Sequence, residues 1–522
     1  MITSVVSFAI KKQTLVLVLL TGIFFATSLP GLFVDVLNTD GVNWHTRSRN
    51  FMESLLSGDF ESTYQAYHPG FTLMWLSGPP LYVLGEYMES GGFSLYGKDT
   101  YLYYDYLAKL CVVLASSVLF LYSLIVLKLH HSLKLALVFG LLVILEPYML
   151  GQRRLYHLDY LTGYLLVCSF LSVYHFTQSK KLFTQVRKRL FLVLGAIFFT
   201  LAFLTKSLGI IFLPIPILTL ILASASPRSR VLAVALFTLV VGFSTYLVVP
   251  ALWRSPLHSA RSLYTKISAG AIEIGYMGKK DIGFAGGKEN VILDEVSQNG
   301  SVDYYIKALA YNLSPGTLLA LAASLVYTAY LVSAKRGDKP VILSGITVLV
   351  FLGVMSISNK KGLRYGAVFY PFLFYIMARL LTAIKSNITL GMLFVHFLLL
   401  IPQYVQIYPY FYAYGNPLMG GTRARVQVFT PGALGVGTYA VHQAILKQLK
   451  PDKQATVSGN KSLKVMSSEF EVSSSESCTS DFIVKYGLNL GRDAPCGASF
   501  KLISTVTVGN YPYWYIYKND GY

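Results

Sequence analysis

The sequence predicts an α-helical polytopic membrane protein that carries a small mixed α/β domain at its C-terminal end. Three observations predict it. Only 13% of the 522 residues are charged, 54% are hydrophobic, and the mean hydropathy is +0.53. Soluble chains carry about 25% charge. Apolar runs near the twenty residues needed to cross a bilayer recur along the first four fifths of the chain. After about residue 409 the composition turns polar and Ser-rich, with strand-like alternation at Phe482-Ile483-Val484 and Tyr511 to Tyr517.

The runs lie at about 14–34, 101–128, 133–150, 158–178, 190–206, 208–225, 231–250, 309–333, 340–358, 365–384 and 386–408, about eleven spans in all. The first follows Lys11-Lys12 and runs into Asp35 with no small-residue cleavage site, so it reads as a retained helix. Basic clusters orient the bundle: Lys11-Lys12, Lys128 to Lys134, Ser179 to Arg189, Arg228 to Arg230, Lys335 to Lys339 and Lys385 fall on one face. The positive-inside rule makes that face cytoplasmic. The expectation is a multi-pass plasma-membrane protein with a cytoplasmic N-terminus. Residues 1–408 form the membrane domain, with long outer loops at 35–100 and 251–308, and 409–522 form an extracytoplasmic domain.

Net charge is +19. No basic amphipathic stripe or aromatic–basic RNA motif accompanies it, so the bilayer is the expected partner and nucleic acid is not. Cys111 and Cys168 lie in apolar runs and read as packing residues. Cys478 and Cys496 lie in the exported tail, where a disulfide and two separate thiols both fit.

The residues that carry chemistry break the orientation rule. Short outer loops should be poor in cations, yet Arg153-Arg154, Lys206, and Lys360, Lys361 and Arg364 meet the outer face from three hairpins. Charge at membrane depth is costly and tends to mark function. An anion at headgroup depth, such as a lipid-carrier phosphate, is the natural partner; general snorkelling anchors are the blander one. Asp40 follows the first span and Asp159 opens the fourth. A carboxylate so placed can accept the proton of an attacking hydroxyl or amine, while cations stabilise a departing phosphate. The competing role for Asp40 is to cap an amphipathic helix over 43–57, and for Asp159 to neutralise Arg153-Arg154. His68, in Tyr67-His68-Pro69-Gly70, is a phosphate or metal ligand or a structural histidine. The apolar stretch 71–84 contains Pro79-Pro80 and reads as a re-entrant or interfacial element.

Several stretches together resemble the GT-C membrane glycosyltransferases, in particular the protein O-mannosyltransferase and lipid A aminoarabinose transferase branch. They are Asp40-Gly41-Val42-Asn43-Trp44 with Ser57-Gly58-Asp59-Phe60; Tyr67 to Gly70 with Met74-Trp75-Leu76; Arg154 to Asp159; Leu201 to Lys206; Lys361-Gly362-Leu363-Arg364-Tyr365 with Tyr370-Pro371; and Tyr408-Pro409-Tyr410 with Tyr414 to Gly421, including Asn416. The resemblance runs from about residue 35 to about 425. It departs at Gly41, where the family shows Glu after the Asp; Glu53 is the candidate to supply the missing group.

The resemblance implies a polyprenyl-phosphate-linked sugar as donor, its phosphate among Lys206, Lys360, Lys361 and Arg364 with Arg153 and Arg154 nearby. Asp40 would be the base and Asp159, His68, Glu53, Tyr365 and Asn416 supporting residues. The acceptor (protein, lipid or glycan) is left open. Transfer by one displacement predicts inversion. There is no phosphate-binding loop, dinucleotide fingerprint or metal-ligand spacing, so no cofactor is expected, although scattered carboxylates leave room for a divalent ion. A lipid-linked-sugar transporter or flippase and a non-catalytic scaffold are the rival readings. Neither the internal repeat nor the midplane charges of many transporters is present.

Overall fold

The computed structural model describes the chain apart from residues 1, 67, 94–97, 179–184, 223–225, 276–296, 299–300, 336, 359, 430–434, 451–453, 460–462, 465, 467–468, 474–476, 488–495 and 497–498. Much of the predicted outer loop 251–308 and part of the basic stretch Ser179 to Arg189 therefore lie outside the described residues.

Among the described residues, six helices are long and apolar enough to cross a membrane: Thr100–His130, Lys188–Thr205, Pro227–Val248, Pro315–Ser333, Lys339–Ile357 and Ser386–Ile407. The remaining predicted spans are helical too: the first is a single, partly exposed helix ending at Ser28, and the others differ from a straight, lipid-facing rod. The run at 133–150 is two helices, Leu133–Leu145 and Pro147–Arg153, bent by 80°. Pro147 opens the second helix and Glu146 precedes it in extended backbone, the conformation a following proline imposes. The buried Glu146 carboxylate accepts hydrogen bonds from the backbone N and Oγ of Ser314, so the bend is tied to the start of Pro315–Ser333. The run at 208–225 becomes a short 3-10 turn, Ser207–Phe212, and an eight-residue helix, Pro214–Ile221.

Leu158–Gln178 is buried along nearly its whole length. It sees protein on every side, so Thr162, Ser169, Ser172 and several tyrosines cost it nothing against lipid. Its closest neighbour is the segment Leu363–Val368: a Cβ on Gly163 would stand 2.4 Å from the Ala367 carbonyl oxygen. Phe71–Ser90, read from Pro79-Pro80 as a re-entrant or interfacial element, is one continuous helix with both prolines inside it and is not among the six long apolar helices.

The C-terminal segment is the expected small mixed α/β unit. Its helices Gly421–Phe429 and Thr438–Leu446 precede a five-stranded sheet ordered Phe470–Ser473, Ala455–Ser458, Phe482–Tyr486, Tyr511–Asn519, Phe500–Val508. The first three strands run parallel and the last two close an antiparallel hairpin. Of the two fates open to Cys478 and Cys496, the disulfide is the one adopted, with Cα atoms 5.6 Å apart. The unit is fastened to the membrane domain rather than tethered: Gly435, at φ +76°, lets the chain pass so close to Leu37 that a Cβ would lie 1.9 Å from its carbonyl oxygen. A Val36–Val436 bridge follows, and Asn416 donates from its backbone and side chain to the carbonyls of Tyr311 and Ala310 at 2.7 and 2.9 Å.

Because Gly163 has no room for a methyl group, Gly163→Ala is expected to push Leu363–Val368 outward and to destabilise the protein by about 1–3 kcal/mol. Thermal unfolding in detergent measures this. An unchanged midpoint would mean that the two elements are less closely packed than described.

Candidate active site

The predicted catalytic carboxylate owes its freedom to its neighbour. Helix Thr39–Leu56 starts earlier than the amphipathic pattern at 43–57 predicts, and its cap is Asn38, whose Oδ1 accepts from the Asp40 backbone N at 3.1 Å. Asp40 is therefore not the cap. It sits in the first turn, where the helix dipole favours a negative charge, and its carboxylate is spent elsewhere.

That carboxylate is ion-paired to Arg364 and lies 3.5 Å from His157 Nε2. His157 Nδ1 is in turn 2.6 Å from Asp159, which is ion-paired to Lys206 and 3.6 Å from Arg364 Nε. Four segments distant in sequence thus meet in one cluster of two carboxylates, two cations and an imidazole. The two carboxylates are unlike. The Asp159 side chain is 1% exposed and that of Asp40 is 20% exposed. Tyr365 lies beneath the cluster with Lys206 Nζ 3.9 Å from its ring centre, a cation–π contact.

Each cation is delivered by a helix that stops. Lys188–Thr205 ends just before Lys206, whose backbone is extended before the Ser207–Phe212 turn. The His-Pro-Gly stretch holds that turn: His68 Nδ1 is 3.1 Å from Ser207 Oγ, and Gly70 N donates to Thr205 O at 3.2 Å. Gly70 adopts φ +65°, and a Cβ there would penetrate the Trp44 ring at 2.1 Å. The sequence motif is thus a latch between the Asp40 helix and the Lys206 turn. Arg364 enters through Gly362-Leu363, which follows a two-residue ladder pairing Lys360–Lys361 with Ser297–Gln298. Lys361 is buried, donates to Ser358 O at 2.9 Å, and loses enough solvation that its ammonium is held below the usual lysine range. The side chain of Lys360 lies outside the described residues.

Other predicted site residues stand elsewhere. Arg153 and Arg154 are buried but engaged away from Asp40 and Asp159. Arg154 Nε is 3.0 Å from Asp35, and Arg153 donates to Thr27 Oγ1 at 2.7 Å and lies over the Phe24 ring. Nor does Asp159 neutralise them, since its partners are Lys206, His157 and Arg364. Glu53 is also remote: thirteen residues along a helix is about 20 Å, and it pairs with Arg49 on an exposed face beside Glu86 and Glu89. Arg49 holds the Glu89 carboxyl below its usual range. The group beside Asp40 is His157, not Glu53. Asn416 is the clasp between tail and bundle described above.

Two further residues join the site. His157 touches both carboxylates. Its spacing of two from Asp159 was visible in the sequence; its second contact was not. Tyr305, on helix Tyr304–Asn312, places its hydroxyl 3.5 Å from Gly362 N, and burial holds its phenol well above the ordinary tyrosine value, so it stays a proton donor.

Compared whole, the chain superposes on ArnT from Cupriavidus metallidurans in the apo state with a TM-score of 0.52 and 15% identity, over 98% of each chain. The same protein bound to undecaprenyl phosphate gives 0.51 and 14%, over 96% of this chain and 97% of that one. The chain shares the fold of these solved structures. Full-length coverage extends this likeness through the C-terminal unit. No family profile matches the sequence, and no curated protein matches it.

Beneath the Asp40 helix lies a second buried ion chain. Lys109 bridges Asp35 at 2.9 Å and Asp105 at 2.7 Å; Asp105 is 3.4 Å from His45, which stacks on Tyr156 at 4.8 Å. His45 belongs to the Asp40 helix, and Tyr156 precedes His157. The Tyr156 hydroxyl also bonds to Ser48 and Ser77 at 2.9 and 2.6 Å. Among the described residues, removing Lys109 leaves Asp35 with Arg154 alone and Asp105 with His45 alone, and breaking a buried ion pair typically costs about 3–5 kcal/mol. Lys109→Met is accordingly expected to lower the unfolding midpoint sharply, whereas Lys12→Met is not; equal midpoints would show the chain to be dispensable.

Proposed function

We propose that the protein is a membrane glycosyltransferase that moves a sugar from a polyprenyl-phosphate carrier to an acceptor on the outer face of the membrane, with inversion at the anomeric carbon. The observation that carries this reading is the unequal pair of carboxylates. Asp159 is sealed in by Lys206 and His157, while Asp40 keeps a fifth of its side chain open beside Arg364. One is built as an anchor and the other as an accessible base.

The chemistry follows. The donor is a phosphodiester with one negative charge, and Arg364 and Lys206 are its nearest matching cations in the cluster. When the phosphate arrives, it competes with Asp40 and Asp159 for them, and Asp40 is left facing His157. The acceptor hydroxyl or amine attacks the anomeric carbon and yields its proton to Asp40. As that bond forms, the bond from carbon to phosphate oxygen breaks, and the electron pair departs on the lipid phosphate. Lys206 and Arg364 stabilise the charge as it grows, and Lys361, already short of solvation, gains by joining them. The scheme assigns neutralisation to side chains, without a divalent ion, so transfer is expected to persist in EDTA.

The solved ArnT structure with undecaprenyl phosphate supports a lipid-phosphate donor by likeness of fold. The alternating basic loops support a cytoplasmic N-terminus and an outward-facing cluster and C-terminal domain in the plasma membrane. A lipid-linked-sugar transporter is the second reading, favoured only by the cations at headgroup depth, and the same experiment separates them.

The test is transfer from radiolabelled polyprenyl-phosphate sugars in proteoliposomes. Asp40→Asn is expected to lower the rate by about 10²–10⁴-fold, the usual contribution of a positioned base, with little change in donor binding. Arg364→Ala and Lys206→Met are expected to weaken donor binding as well. Labelled lipid that crosses the bilayer equally in wild type and Asp40→Asn, with no transfer from any donor, would decide for the transporter.

A further inference from the structure

A cavity of about 610 Å³ opens between the end of helix Ser386–Ile407, the helix Gly421–Phe429 and the turn Gly509-Asn510 of the C-terminal sheet. It shares no lining residue with the Asp40 cluster. Its size falls in the range of small-molecule sites, about 300–1,000 Å³, and its lining mixes polar side chains with apolar surface. Side-chain amides come from Gln403, Gln427 and Asn510, tyrosine rings from Tyr414 and Tyr515, and the one charged side chain among the lining residues is Arg423.

Each part of that lining favours the same ligand chemistry. Amides donate and accept at once, which suits vicinal hydroxyls. The Tyr414 hydroxyl donates to Gln403 Oε1 at 2.7 Å and Gln403 Nε2 donates to the Leu399 carbonyl at 2.9 Å, which fixes that amide and leaves one of its N–H groups to donate. Tyrosine faces cover the C–H surface of a ring. The Arg423 fork matches a carboxylate or phosphate, and with no acidic residue lining the cavity a cationic ligand has no counter-charge. An acyl chain would strand the amides. The walls are also built to stay: Gly509 takes φ +57°, and a Cβ there would come within 2.6 Å of Thr422 Oγ1, so the turn is seated directly on the helix that carries Arg423 and Gln427.

The cavity is one helix away from the reaction site. Asn416, between Tyr414 and Pro417 of its wall, is bonded to the carbonyls of Ala310 and Tyr311, and Arg425 donates to Asn312 at 2.7 Å. That helix, Tyr304–Asn312, holds Tyr305 against Gly362, two residues before Arg364. We infer that the cavity is a binding site for a saccharide bearing an acidic substituent, and that it holds a distal unit of the acceptor. The acceptor role rests on the glycosyltransferase reading; the binding chemistry does not.

The experiment is equilibrium binding to the full-length protein in phosphatidylcholine nanodiscs, with tri-galacturonate and glucose 1-phosphate as acidic probes and maltotriose as the neutral one. Both acidic probes are expected to bind at least about tenfold more tightly than maltotriose. Arg423→Ala is expected to remove that preference, the loss of one charge-assisted hydrogen bond, and leave maltotriose unchanged. Arg423→Lys should restore part of it, and Tyr515→Ala should weaken all three. Arg423 is exposed, so the fold tolerates its loss, and donor-lipid hydrolysis by Arg423→Ala serves as the folding control. No preference for acidic probes in the wild type, or full preference in Arg423→Ala, overturns the site while leaving the enzyme reading intact. Displacement of the probes by phosphatidylglycerol nanodiscs would also overturn it, by assigning the cavity to a lipid headgroup. Saccharide binding without any donor hydrolysis in the wild type would instead sink the enzyme reading.

Discussion

The structure depends on how buried charge is neutralised at the outer ends of its helices. Asp159 opens a helix that is enclosed by protein, and an isolated carboxylate there would cost many kcal/mol. Lys206, His157 and Arg364 remove that cost, and each comes from a different part of the chain. Satisfying one carboxylate therefore determines where three segments end. The helix before Lys206 stops so that the lysine can reach inward. The Leu363–Val368 segment lies flat on Gly163, which brings Arg364 alongside. A second chain, from Arg154 through Asp35, Lys109 and Asp105 to His45, does the same for the helix that presents Asp40.

These two networks divide the labour between support and chemistry. In the deeper chain, cations and carboxylates alternate in a sealed interior, which suits rigid placement and excludes a ligand. In the outer cluster the same residue types stand at a partly open edge, and Arg364 is shared between two carboxylates. A shared cation can be drawn toward a third anion without leaving either partner stranded, since His157 contacts both. On the proposed reading, a donor phosphate exchanges for existing contacts rather than bringing bare charges together, and preorganised charge is what stabilises a developing anion most effectively.

How much of this was legible in the sequence follows from what each signal measures. Hydropathy measures the cost of facing lipid, so it finds the six outer helices readily. It overcounts straight spans where the chain is shielded by protein. The run at 133–150 is apolar throughout, yet Glu146-Pro147 breaks it, and the local sign of that break is the dipeptide rather than the average. Pro79-Pro80 carries no such break: the helix Phe71–Ser90 runs through both prolines. For the site, charge at membrane depth was the informative signal, and it correctly singled out residues with buried partners. It could not give direction. Arg153 and Arg154 carry the same signal as Lys206 and Arg364, but their side chains serve Thr27 and Asp35. Pairing is a three-dimensional property, which is also why the second contact of His157, the role of Tyr305 and the remoteness of Glu53 emerge only from the fold.

Gly41 marks where the chain's chemistry is its own. A Cβ at this position would meet Asn38 and the Tyr156 carbonyl at 3.5 Å, ordinary contact distances. Glycine is thus not forced by crowding at the backbone. A longer acidic side chain would nevertheless enter a buried spot against the Tyr156 carbonyl oxygen, which repels its charge. The position next to Asp40 that an acid would serve is taken by the His157 imidazole, a group that can accept as well as donate a proton. An imidazole spanning Asp40 and Asp159 links the exposed carboxylate to the buried one, so a proton taken by Asp40 has a neighbour able to share it.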